Sequence, residues 1–162
     1  MMIKNWHIFL LLSSIIAISS ALVAEHYYNL QPCELCLKQR HPYYAIILLS
    51  LFLFSIPKNY SIVAYLLIQI SSIYGFFYAA WHVGVENNFL KGPSGCSARL
   101  DISSETIELK AQILSNQVVS CNEVVWSFYG LSAASINTVI FLFIFIINAI
   151  YIYNYHGPKK EK

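Results

Sequence analysis

Charge is what this sequence has least of. Asp, Glu, Lys and Arg supply 11% of its 162 residues, whereas a soluble domain carries roughly a quarter, so water is not the main solvent of the folded chain. The formal charge of +2 is small. With no basic stripe interleaved with aromatics anywhere along the chain, nucleic-acid binding is set aside. Internal repeats and low-complexity segments are absent, and the length leaves room for a single domain. Only one long hydrophilic stretch occurs, over residues 82–127.

Apolar residues, by contrast, make up 57% of the chain. They gather in runs at residues 6–24, 37–56, 61–81 and 129–153, each close to the roughly 20 residues needed to cross about 30 Å of hydrocarbon. Ile56-Pro57-Lys58-Asn59-Tyr60 is a minimal turn, so the second and third runs form a helical hairpin. This pattern predicts an all-α membrane protein: a four-transmembrane-helix bundle in one domain, with outer loops at residues 25–36 and 82–128. In the longer loop Ile107, Ala111, Leu114 and Val118 repeat at helical spacing. Ser104 is a candidate N-cap there, and Glu105 and Glu108 fall in the first turn, as in a short amphipathic helix on the membrane surface.

Lys and Arg near helix ends favour the cytoplasmic side. Lys4, Lys58, Lys159, Lys160 and Lys162 all fall on one side of such a bundle. The other side takes Glu25, Glu34, Glu86, Asp101, Glu105, Glu108 and Glu123, but also Lys38, Arg40, Lys91, Arg99 and Lys110, so the lysine-rich tail weighs most. Trp6 and Tyr60 mark the inner interface; Tyr27, Tyr28, Trp81 and Trp126 mark the outer one. The first run could instead be a cleaved signal peptide with Lys4 as its n-region and Ser19-Ser20-Ala21 before the cut. Either way Cys33, Cys36, Cys96 and Cys121 face outward, where an oxidising compartment favours disulfide chemistry.

Pro32-Cys33-Glu34-Leu35-Cys36 places a C-x-x-C pair just before the second helix. A helix N-terminus stabilises anions, and Lys38 and Arg40 add positive charge in the next turn, so a reactive thiolate is expected. Zinc is a weaker reading, because Cys96 and Cys121 are far apart in sequence and a four-cysteine site usually has two close pairs. No metal is expected. Purely structural disulfides are the bland alternative, but a Cys33–Cys36 bridge closes almost no loop entropy. Arg40 just inside an apolar run either snorkels to the headgroups or meets a polar partner. His82, at the end of the third run, is at the same depth. A guanidinium and an imidazole flanking a thiolate at the lipid boundary suit a membrane-dissolved two-electron acceptor whose carbonyl oxygens need hydrogen-bond donors. A quinone fits that description.

These residues resemble the disulfide bond formation protein B (DsbB) family over nearly the whole chain. The likeness rests on the four runs, on Pro32-Cys33-Glu34-Leu35-Cys36 with Arg40 four positions on, and on Trp81-His82-Val83-Gly84-Val85-Glu86. Cys96 with Cys121, and Cys121-Asn122-Glu123-Val124-Val125-Trp126 followed by Gly130-Leu131-Ser132, complete it. Ala133-Ala134-Ser135-Ile136-Asn137 departs from the Met-Pro and Trp that the family commonly has there. The resemblance implies a quinone-linked oxidase of the bacterial inner membrane that reoxidises a periplasmic DsbA-like thioredoxin-fold protein. It implies that Cys96 takes the mixed disulfide with that partner and that Cys121, once released, attacks Cys33 and frees Cys36 to contact the quinone. Arg40 would hold the ring, with His82 as a second donor, and Trp126 would lie near the exchange region. Ubiquinone and menaquinone are both compatible. Reoxidising so oxidising a partner needs an acceptor stronger than another cysteine pair, hence the quinone. The rivals are a non-catalytic scaffold whose loops are stapled by disulfides, and a vitamin K epoxide reductase-like protein, whose C-x-x-C usually comes later in the chain.

Overall fold

The computed structural model describes residues 5–57, 60–93, 120–124 and 126–156. Within these residues the order is α1 (Trp6–His26), α2 (Glu34–Phe52), α3 (Ser61–Glu86), a two-stranded hairpin of β1 (Ser127–Phe128) and β2 (Leu131–Ser132), and α4 (Ala133–His156). The amphipathic helix expected around residues 104–118, the Lys58 turn and Cys96 lie outside the described residues.

Among the described residues three helices, α1, α3 and α4, are long and apolar enough to cross a membrane. The exception is α2: it has Lys38, Gln39, Arg40 and His41 in its first half, though its 19 residues would reach about 28 Å at 1.5 Å per residue. Ile16, Leu48, Ile70 and Val139 point outward and are exposed. An apolar outer face of this kind suits lipid rather than water.

The helix limits differ from the hydrophobic runs, and local chemistry explains each difference. Expected from residue 37, α2 starts at Glu34 because Cys33 caps it, its sulfur taking the Cys36 N–H at 3.3 Å. Expected to end near residue 81, α3 runs on to Glu86, so His82 lies within its last turns instead of capping it. The chain leaves that helix through Asn88, which has a φ of 59°, with Phe89 and Leu90 N–H both bonding to the Gly84 carbonyl. Expected from residue 129, α4 begins at Ala133 after a tight turn in which Tyr129 and Gly130 have φ of 51° and 81°. Positive φ at both central residues suits a two-residue hairpin. Ser132 then caps α4 through its hydroxyl and the Ser135 N–H at 3.1 Å.

Packing runs chiefly α1 on α2, α2 on α3 and α3 on α4. The core is built from Leu10, Ile46, Ile68, Phe141 and Ile144, all fully or almost fully buried. At its centre the Phe141 ring packs tilted against Tyr43, centroids 4.5 Å apart, and lies over Gly75, where an added Cβ would come within 2.5 Å of the ring. At the end of the bundle away from Cys33 and Cys36, buried Asn148 of α4 accepts the Trp6 indole N–H at 3.1 Å. It donates to the Tyr65 carbonyl at 3.0 Å and to Gln69 Oε1 at 2.7 Å. Amides of this kind hold helices together where no water competes.

Candidate redox site

Capping brings Cys33 and Cys36 together one turn apart at the start of α2. Both are free thiols, their sulfurs 3.0 Å apart. Cys33 is almost fully buried and Cys36 partly so. Because the Cys33 sulfur also takes a backbone N–H and faces His82 Nε2 at 3.6 Å, it is the better place for negative charge. The shared proton therefore rests on Cys36. The Cys33 thiol is lowered to about 4; the hydrogen bond from Cys36 contributes most, burial opposes it, and His82 adds to the lowering. Lys38 and Arg40, expected to favour a thiolate, are both engaged by carboxylates. Lys38 Nζ is 2.7 Å from Glu34, and Arg40 Nη1 is 2.5 Å from Glu25 at the end of α1.

His82 is buried and held on both sides. Gln39 Nε2 lies 2.8 Å from its Nδ1, and Glu86 Oε1 lies 3.8 Å from its Nε2. The ring also meets the backbone of Cys121. Gln39 accepts in turn from Asn137 Nδ2 at 2.8 Å, and Asn137 Oδ1 accepts from the Tyr43 hydroxyl at 3.0 Å. Cys121 is fully buried and disulfide-bonded. It packs in one cluster with Cys33, Leu35 and Val85, against which Cys36, Tyr78 and Trp81 lie. Of the expected site residues, Cys33, Cys36, Arg40, His82 and Cys121 thus meet at one end of the bundle, and Cys96 lies outside the described residues.

A cavity of about 630 Å³ opens beside this cluster. Cys33, Cys36, Arg40, His82 and Trp126 line its polar end, and Ser13, Ala17, Ala21, Ile140, Phe143 and Ile144 are among the residues that line the rest. The cavity runs between α1 and α4, which the Trp6–Asn148 bond joins at their far end. Cys33, Cys36 and His82 could also hold a metal ion, their ligand atoms lying within 4.8 Å of one another. Two thiolates at about 2.3 Å from a tetrahedral zinc stand roughly 3.7 Å apart, wider than the 3.0 Å found here, so the pair is placed for a shared proton rather than for zinc.

Sequence reasoning missed Gln39, Glu25, Tyr43 and the part played by Asn137. Their signal was a polar side chain inside an apolar helix, which in a membrane bundle points inward to a partner.

Comparison with known proteins finds relatives over most of the chain. The family model for Disulfide bond formation protein DsbB matches residues 4–151. Disulfide bond formation protein B of Psychrobacter sp. (strain PRwf-1) is 30% identical over 154 residues, covering 86% of this chain and 85% of the relative. The protein of the same name from Methylobacillus flagellatus is 30% identical over 126 residues, covering 75% and 76%. An uncharacterized protein of Rickettsia prowazekii is 26% identical over 163 residues, covering 98% and 91%. No solved structure matches.

Proposed function

The chain belongs to the DsbB family of membrane disulfide-formation proteins, and on that premise we propose that it reoxidises a periplasmic DsbA-like dithiol protein and passes the two electrons to membrane quinone. The observation that carries this reading is the Cys33–Cys36 pair, Cys33 buried and Cys36 partly so, on the wall of a largely apolar cavity and packed against disulfide-bonded Cys121. A pair so placed can exchange disulfides with one neighbour and give electrons to another.

The cavity fits a quinone by size and lining. Its volume of about 630 Å³ is within the usual range for small-molecule sites, and its polar end offers Arg40 as a donor, with His82 beside the Cys33 sulfur. When bound, a quinone supplies a sink for two electrons and two protons. Arg40, tethered by Glu25, would hold the carbonyl end. With the Cys33–Cys36 bridge closed, Cys121, freed when the partner's thiol is exchanged at Cys96, attacks Cys33 and breaks that bridge, leaving Cys36 as the thiolate facing the cavity. Cys96, freed as the partner leaves oxidised, then takes Cys121 back into their disulfide and releases Cys33. In the fully reduced pair the charge instead sits on Cys33, as described above. Closing the Cys33–Cys36 bridge again releases two electrons and the one proton the pair shares, the second proton for the acceptor coming from water.

The four-span topology belongs to this proposal, with α2 crossing alongside the three more apolar helices and all four cysteines on the periplasmic face of the inner membrane. The lysine-rich tail and the acid-rich loop support it. A quinone-reduction assay with purified protein and a reduced DsbA-like substrate tests the whole reading. Turnover with ubiquinone or menaquinone analogues is expected. No reduction of any quinone, with the cysteines inert, would leave the stapled scaffold as the better account.

A further inference from the structure

Tyr43, Asn137, Gln39 and His82 form one connected chain across three helices. Tyr43 Oη donates to Asn137 Oδ1 at 3.0 Å, Asn137 Nδ2 donates to Gln39 Oε1 at 2.8 Å, and Gln39 Nε2 is 2.8 Å from His82 Nδ1. Gln39 and His82 are buried. In an apolar bundle such groups persist only when each is paired.

The polarity of the chain follows from its ends. With Tyr43 donating, each amide turns its oxygen back and its N–H forward, so Gln39 donates to Nδ1 and the imidazole proton sits on Nε2. Reversed, the proton would sit on Nδ1, and a bare Nε2 would face two acceptors, the Cys33 sulfur at 3.6 Å and Glu86 Oε1 at 3.8 Å. Glu86 is itself fixed by the Ser132 hydroxyl at 2.5 Å. Both ends select the same direction.

We propose that Gln39 and Asn137 are positioning residues that hold His82 as its Nε2–H tautomer, aimed at the Cys33 sulfur. With both ring nitrogens engaged, His82 serves the thiol pair and not an acceptor in the cavity. Gln39 reaches the reaction only through His82, and Asn137 only through Gln39. The inference rests on Cys33 and Cys36 being the redox pair.

The test uses the full chain in detergent micelles with Cys33 and Cys36 reduced and the histidine rings labelled with nitrogen-15, His82 being assigned by its loss in His82→Ala. Nitrogen NMR should show the wild-type ring protonated on Nε2. Gln39→Glu keeps the shape but presents an acceptor to Nδ1, so the proton should appear there. Gln39→Leu and Asn137→Leu should both leave the tautomers mixed. The pH midpoint of Cys33 alkylation, located by peptide mapping, should move up by about one pH unit or more in Gln39→Glu, because a hydrogen bond to a charged group is lost. If Asn137→Leu does not fold, the isosteric Gln39→Glu carries the test alone. A wild-type ring protonated on Nδ1, or a Gln39→Glu ring indistinguishable from wild type, overturns the proposal. The spectrum needs neither quinone nor partner, so it stands apart from any failure of quinone reduction.

Discussion

Arg40 Nη1 lies 2.5 Å from Glu25 Oε2, which ties the end of the first helix to the helix that carries the cysteine pair. Both groups are largely shielded from solvent. A guanidinium has five N–H donors in a rigid fork, and the bond to Glu25 leaves the others for the cavity that Arg40 lines. The pairing replaces headgroup snorkelling as the reason an arginine is tolerated here.

Arg40→Met should therefore raise the apparent Michaelis constant for a soluble quinone about ten- to a hundredfold, as expected for charge-assisted hydrogen bonds of roughly 1.5 to 3 kcal/mol. Arg40→Lys should fall between, keeping the charge and losing the fork. Glu25→Gln should also fall between, since it frees the guanidinium without removing it. Partner oxidation in a single turnover without quinone should persist in all three. An unchanged constant in Arg40→Met would take the quinone contact away from Arg40.

The pH dependence of Cys33 is the second expectation. Its thiol is depressed to about 4, so the thiolate is present above that value and lost below it. The resulting stabilisation of the reduced, folded protein is complete only above the ordinary thiol range near 8.5 and disappears as pH falls through about 4. Cys33 alkylation in the reduced protein should stay flat through the neutral range and drop only on approach to that lower limit. His82→Phe should move the drop to higher pH. A wild-type midpoint near the ordinary thiol value would contradict the hydrogen-bonded pair.

Thiol order can be trapped. Cys121→Ser leaves Cys96 without its disulfide partner, so the Cys96 thiolate should attack the disulfide of an oxidised DsbA-like protein. With no Cys121 thiol to displace that protein, a mixed disulfide should accumulate on non-reducing gels. Absence of any covalent adduct counts against this order of attack.

Topology is open to direct labelling. A cysteine placed at Lys58 should be shielded from membrane-impermeant reagents in intact cells, and a reporter near Gly95 should behave as external. External labelling at Lys58 would sink the four-span arrangement.

Gly75 offers a test of the core. A methyl group there would meet the buried Phe141 ring at 2.5 Å, and overpacking of this kind costs about 1 to 3 kcal/mol. Gly75→Ala should lower the thermal midpoint in detergent, and adding Phe141→Leu should recover part of the loss. A purely additive pair would show that the two residues do not share the space.

The helices were legible because apolar runs of about 20 residues have few alternatives in a membrane protein. Helix ends were not, since they depend on caps such as Cys33 and Ser132 and on the left-handed turns at Asn88 and Tyr129, all of which lie off the hydrophobic pattern. Cys33 and Cys36 announced themselves by spacing. Their charge balance did not: sequence proximity pointed to Lys38 and Arg40, and the fold gives those cations to Glu34 and Glu25. His82 could be singled out, but its partners Gln39 and Asn137 stand 43 and 98 positions from theirs, and no local pattern encodes a meeting of three helices.

Eleven positions separate Asn137 from Asn148, about three turns at 3.6 residues each, so both amides project from one face of α4 roughly 16 Å apart along its axis. A slip of that helix by a single turn, about 5.4 Å, would break the bonds to Trp6, Tyr65 and Gln69 at one height and the bond to Gln39 at the other. The helix is indexed twice, like a key with two teeth. Alignment at the Cys33–Cys36 end is thereby inherited from an amide buried at the opposite end of the bundle.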